Sequence, residues 1–161
     1  MHSFDNANPK FTISTMFART RFLRVRALGE ELAFDAASVC NVIDLADVHI
    51  PVRFGHGLAM FYEGRIIPLV DYRAPSCRGT AMTGVPLVVA NVQRSLFALA
   101  VDCIREQVSV EYAEICQPER VLVDRCPYLA GSIRRGASEV YLVDLERLLG
   151  PAIRTHLSGQ E

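Results

Sequence analysis

A chain of 161 residues is long enough to bury a sizeable core as about one domain, without disulfides or metal to hold it. Half of its residues are hydrophobic and 22% are charged, which excludes a disordered chain. The net charge of −1 at pH 7 supplies no basic face for neutralising phosphates, so a general nucleic-acid binder is excluded as well.

Residues 1–20 mix Asn, Ser, Thr and Pro with scattered apolar residues and read as a loosely held tail, with Phe11, Ile13, Met16 and Phe17 available for docking. This start lacks the basic opening and unbroken apolar core of a signal peptide. No apolar run approaches the ~20 residues of a membrane helix, so the expected location is the cytoplasm.

From Arg21 the pattern sharpens. In RFLRVRA, Leu23, Val25 and Ala27 share one face while Arg24 and Arg26 point the other way, a period of two that suits a half-buried strand. Gly29 punctuates the run and EELAFD resumes it, so 21–35 is expected to form a hairpin. A short helix is expected next, with Asp35 as N-cap and Ala36, Val39, Cys40 and Ile43 on one face. Residues 44–56 read as an irregular connection.

GLAMFYEGRIIPLVDYR then reads as two strands around a tight turn at Glu63-Gly64, with Pro68 confined to an edge or a bulge because it has no N–H to donate. Residues 74–84 are the clearest break. VPLVVANV and SLFALAV flank a turn at Gln93-Arg94, CIREQVSV continues extended, and 111–127 read as mostly loop. The chain closes with strand, turn, strand and a short helix. Arg134-Arg135 reads as a solvated turn, Asp144 as the helix cap, Leu145, Leu148 and Leu149 as its apolar face, and Gly150-Pro151 as its stop. Residues 151–161 read as a C-terminal tail.

The two halves resemble each other. EELAFDAASVCNV can be laid on SLFALAVDCIREQ, and GLAMFYEGRIIPLVDYR on LAGSIRRGASEVYLVDLER with one gap. About five short strands per half suit small closed barrels, so the expected fold is mainly β, with two five-stranded β-barrel subdomains and a few short helices. The expected division of the single domain 21–150 is subdomain 1 at about 21–80, subdomain 2 at about 84–140, and a closing strand and helix at 140–150.

Catalytic and metal constellations are missing from the sequence. His2, His49, His56 and His156 show no HExxH spacing, and no GxSxG, P-loop or GxGxxG occurs. Nothing pairs Cys126 with a base. Cys40, Cys77, Cys103, Cys116 and Cys126 include no CxxC and read as reduced, mostly buried thiols. The expectation is therefore no enzyme, no catalytic residue, no metal and no cofactor.

Three segments in order resemble the CheW-like coupling domain of bacterial chemotaxis systems. YLAGSIRRGASEVYLVDLERLL (128–149) is similar to the family's YL-x-G…LLDLE-x-LL ending, EELAFDAASVCNVI (30–43) to its hairpin-plus-helix segment, and GRIIPLVDYR (64–73) to its G-x-VVPVVDLR. The resemblance covers about Arg21 to Gly150. It implies a non-enzymatic adaptor of two SH3-like five-stranded barrels. Its partners would be the regulatory domain of a CheA-type histidine kinase and, in a groove between the barrels, the cytoplasmic helical hairpin of a chemoreceptor. Candidate receptor-groove residues are Val39, Asn41, Val42, Tyr62, Glu63, Gly64 and Arg65, and candidate structural motif positions are Gly57, Pro68, Asp71, Gly131 and Asp144.

The chain departs from the family pattern at two places. The family usually reads N-L-R-G before its G-x-VVPVVD run, with the Arg important for receptor binding, whereas here the turn reads Phe61-Tyr62-Glu63-Gly64. Asn41 stands where the family tends to carry Glu, and the resemblance implies that these two positions face each other. A neutral Asn41 avoids the repulsion that two carboxylates would create. A small-ligand or other protein-interaction barrel that uses the same groove is the alternative.

Overall fold

The computed structural model describes residues 19–47, 52–54, 57–77 and 83–150. The tails expected at 1–20 and 151–161, the helix stop at Pro151, and all four histidines fall wholly or mostly outside these.

Eleven strands dominate: β1 Arg19–Ala27, β2 Glu30–Asp35, β3 Val39–Asp47, β4 Val52–Phe54, β5 Gly57–Tyr62, β6 Arg65–Asp71, β7 Thr83–Val92, β8 Ser95–Ala100, β9 Cys103–Glu111, β10 Leu129–Arg135 and β11 Ser138–Val143. A short helix α1 spans Arg120–Arg125, and residues 145–150 are helical (α2). The hairpins fall where the alternation placed them. The two-residue turns of the β1–β2, β5–β6 and β7–β8 hairpins hold both central residues at positive φ (Leu28 56° and Gly29 77°, Glu63 49° and Gly64 77°, Gln93 53° and Arg94 66°), the geometry that matches the twist of antiparallel strands.

The helix expected after Asp35 is instead one 3-10 turn, Ala36–Ser38, followed by strand β3. Asp35 does cap it, accepting a bond from the Ala37 N–H at 3.0 Å. Beyond Ser38, β-branched Val39, Val42 and Ile43 pair with Ala90, Val88 and Leu87 of β7, and that pairing overrides an apolar spacing that fits a helix equally well. The connection expected at 44–56 likewise holds the end of β3 and β4, and the loop at 111–127 holds a 3-10 turn at Tyr112–Glu114 and α1. Pro68 lies on an interior strand, between β5 and β8. Its lack of a donor is accommodated because the parallel ladder to β8 begins only at Leu69, leaving Pro68 opposite Ala59 alone.

The strands form two sheets, ordered β10-β11-β2-β1-β9 and β3-β7-β8-β6-β5-β4. These do not divide at 80–84 as expected. The duplicated halves exchange strands: β1 and β2 pair with β9–β11 from the second half, while β7 and β8 pair with β3–β6 from the first. The repeat itself is preserved in register. Ala33 lies opposite Leu142 and Phe34 opposite Val143, and Ala98 opposite Leu69 and Leu99 opposite Val70 in the other sheet. The aligned segments therefore occupy equivalent places, each completing the sheet of the other half.

Both sheets curl. In the first, Cys116, just past β9, bridges to Ser132 of β10, and Arg135 Nη1 of β10 lies 3.5 Å from Glu114 Oε1. Arg135 is thus a strand end tied across the sheet opening rather than part of a solvated turn. In the second, Asn41 Nδ2 of β3 donates to Tyr62 Oη of β5 at 3.1 Å, drawing the far strands together.

Exchange gives three cores. Leu23, Val25, Leu32 and Phe34 from the first sheet meet Val88, Phe97 and Leu99 from the second, with Leu145, Leu148 and Leu149 of α2 sealing the layer. Met60, Ile67, Leu69, Leu87 and Val89 fill the inside of the second sheet, and Phe22, Val110, Ile133 and Val140 that of the first. Strand β8 serves two cores, which is why SLFALA is apolar on both faces. Backbone bonds also join the sheets: Leu28 N–H to Tyr72 O at 2.8 Å, and Asp102 N–H to Arg26 O at 2.9 Å. The cysteines differ from expectation. All five are free, but Cys40 and Cys116 are exposed and the rest half-buried, because they sit at strand starts, turns and the end of α1 rather than in the cores.

Candidate functional site

Most large apolar side chains are spent in the cores, which makes the exceptions informative. Among the described residues four are exposed: Val42 at 36%, Phe61 at 68%, Ile66 at 50% and Val121. Three of these belong to the seam where β3 approaches β5.

Alternation explains their direction. Leu58, Met60 and Tyr62 of β5 pack on the inner core, as do Ile67 and Leu69 of β6, so Phe61 and Ile66 point outward. The two are directly opposite across the hairpin, in register with Tyr62 opposite Arg65. Ile43 packs inward on β3, so Val42 also faces out. An apolar cross-strand pair in solvent contributes little to folding beyond its own contact. It stands ready for a partner.

Of the seven residues expected to form a partner groove, Asn41 and Tyr62 are brought together by their hydrogen bond. Asn41 also accepts the Val42 N–H on Oδ1 at 2.8 Å, which fixes its amide. Val39 is half-buried against the central core, and Val42 is exposed. Glu63 and Gly64 form the exposed turn, with Arg65 exposed immediately after it. Phe61 and Ile66 were not among the expected residues. The two-residue turn carries the signal that finds them, since residues symmetric about Glu63-Gly64 must face each other.

The positions expected to be structural divide by chemistry. Gly57 begins β5, and Pro68 is described above. Asp71 Oδ1 and Oδ2 accept from Arg73 Nε at 2.9 Å and Nη2 at 2.8 Å, and Arg73 is only 5% exposed. That hydrogen bond is the main reason the Arg73 pKa is raised. Asp144, the equivalent of Asp71, caps α2 by accepting the Glu146 N–H at 3.0 Å. Gly131 has no room for a side chain: a Cβ there would lie 2.9 Å from Ile115 Cγ2 and 3.0 Å from Cys116 O. Beside this framework Tyr72 Oη donates to Leu148 O at 3.0 Å, and burial pushes its phenol up to about 12.

A cleft of about 840 Å³ lies elsewhere, between the first sheet and the β7–β8 turn, with Phe22, Val92, Gln93, Leu142, Asp144 and Arg147 on its walls. None of the seven expected groove residues lines it, so cleft and seam are separate surfaces. Among the described residues no group of three or more His, Cys, Asp or Glu gathers to hold a metal, and no helix is long and apolar enough to cross a membrane.

A model of the CheW-like domain family matches residues 21–152. Among solved structures, the scaffolding protein TtCheW from Thermoanaerobacter tengcongensis is similar in fold, with a TM-score of 0.59 at 17% identity over 77% of this chain and 88% of that one. No curated protein sequence matches the chain.

Proposed function

The chain belongs to the CheW-like domain family, and from that premise we propose that it is a non-enzymatic signalling adaptor. It couples the cytoplasmic helical hairpin of a methyl-accepting chemoreceptor to the regulatory domain of a CheA-type histidine kinase, working in the cytoplasm beneath the receptors. The observation that carries this reading is the exposed apolar seam on the second sheet. Phe61 and Ile66 stand on the outer face of the β5–β6 hairpin and Val42 on the outer face of β3, the Asn41–Tyr62 hydrogen bond joins the two elements from within, and Glu63, Gly64 and Arg65 close the hairpin's end. An apolar stripe with polar residues beside it is what an amphipathic helix lies against. The rigid three-core body behind it keeps the seam in place when a partner is absent.

The kinase domain is expected on the sheet ends, away from the seam, so that both partners bind at once. Calorimetric titration with the cognate receptor hairpin and with the kinase regulatory domain tests the reading. Binding to both is expected, at the modest affinities of transient signalling contacts. Binding to neither overturns it.

A second reading rests on the cleft of about 840 Å³, a volume that suits a small ligand. Thermal-shift measurements against a metabolite set favour it if a compound stabilises the chain while the kinase and receptor fragments fail to bind.

A further inference from the structure

The seam carries two exposed charges that enter no ion pair among the described residues, Glu63 in the turn and Arg65 just after it. Glu63 sits at φ +49°, in the left-handed region that Asn, Asp and Gly enter easily and a longer side chain enters less readily. Leu28, at a comparable φ of 56°, compensates by packing on the central core and bonding through its N–H to Tyr72. Glu63 makes no such contact: like Gln93 and Arg94 in the β7–β8 turn it is exposed at positive φ, and among the described residues it enters no ion pair. Arg65 does not serve it in the strand pattern. It stands opposite Tyr62, on the face of the hairpin that carries the Asn41 bond, while Phe61 and Ile66 occupy the other. An acid is thus held in a strained turn, two residues from the exposed Phe61 and three from the exposed Ile66.

Resting on the reading above that a helical partner docks at this seam, we propose that the partner presents a basic side chain, Lys or Arg, on the flank of its apolar stripe, seated against Glu63. Phe61 and Ile66 supply the apolar contact, and the carboxylate of Glu63 selects the helix and its direction of approach. Because the pair lies at the rim, its contribution is modest and salt-sensitive. It discriminates between helices of equal apolarity by attraction to a cation and repulsion of an acid.

The test uses the full chain and the cytoplasmic hairpin tip of the cognate methyl-accepting receptor, titrated at low and at physiological salt. Expected are a loss of about threefold in affinity for Glu63→Gln and about tenfold for Glu63→Arg, with a smaller salt dependence in Glu63→Gln than in the unaltered chain. Phe61→Ser should weaken binding while leaving the salt dependence unchanged, and far-UV circular dichroism checks that each variant keeps its fold. Unchanged affinity in both Glu63 variants, or tighter binding by Glu63→Arg, overturns the basic partner while leaving the docking seam standing. Failure of the unaltered chain to bind the hairpin at all removes the seam reading and this inference together.

Discussion

Asp71 and Asp144 occupy equivalent places in the two halves, and the structure predicts that removing them has unequal consequences. Asp71→Ala removes two carboxylate bonds, at 2.9 and 2.8 Å, from a guanidinium whose side chain is only 7% exposed, and a third bond at 3.1 Å from the Arg73 N–H. Breaking a buried ion pair by deleting one partner costs about 3–5 kcal/mol, because the remaining charge stays desolvated. Asp144→Ala removes a helix cap whose bonds run to the Glu146 and Arg147 N–H groups at 3.0 and 3.4 Å, a loss of about 1 kcal/mol. For a domain of this size those figures correspond to roughly 6–20 °C and 2–4 °C in Tm. Urea unfolding at pH 7, followed by far-UV circular dichroism, separates them provided the slopes agree. The double variant Asp71→Ala/Arg73→Met should be more stable than Asp71→Ala alone, since it removes a buried guanidinium that has lost its bidentate carboxylate. Equal losses from the two single variants, or a double variant no better than Asp71→Ala, would refute the assignment of Asp71 and Arg73 as a buried pair.

Two further predictions concern the joints of the fold. Tyr72→Phe should cost about 1 kcal/mol at pH 7 through the lost bond to Leu148 O. It should also flatten the alkaline limb: with the folded pKa at about 12 against about 10 in the unfolded chain, the folded state holds a proton that the unfolded chain releases. That stabilisation is whole below pH 10 and is lost as pH rises toward 12, so a stability–pH curve of the variant that still falls as steeply contradicts the buried phenol. Gly131→Ala should cost about 1–3 kcal/mol, because the new methyl meets Ile115 Cγ2 at 2.9 Å and the Cys116 carbonyl at 3.0 Å. Hydrogen exchange should quicken at the Cys116 and Ser132 amides, which bond each other's carbonyls across this bridge. Unchanged exchange there would show that the sheet opening tolerates the side chain.

Much of this architecture was legible before any coordinates. The period of two in RFLRVRA put Leu23, Val25 and Ala27 on one face, and they do line the central core. The turns at Glu63-Gly64 and Gln93-Arg94, the cap at Asp144 and the internal repeat were legible for the same local reasons. What failed were questions that local sequence cannot decide. Residues 36–43 carry a spacing that suits a helix, and only the presence of β7 alongside makes them a strand. The division into subdomains failed because strand exchange leaves the repeat pattern untouched: β2 looks the same whether it completes its own sheet or that of the other half. At the candidate site, the resemblance implies that Asn41 faces the turn residue Glu63, whereas the hydrogen bond of Asn41 runs to Tyr62, the residue before it. Phe61 and Ile66 escaped notice because an apolar residue in a strand reads as core until both faces of the sheet are known.

The measurement that bears most directly on the adaptor role is sedimentation velocity of this chain mixed with the kinase regulatory domain and the receptor hairpin. A ternary species is expected with the unaltered protein. With the seam variant Phe61→Asp/Ile66→Asp, a binary complex with the kinase domain should remain and the receptor hairpin should sediment alone. If the hairpin stays bound in that variant, the seam is not its docking surface, and if no ternary species forms with the unaltered chain, the protein does not bridge the two partners.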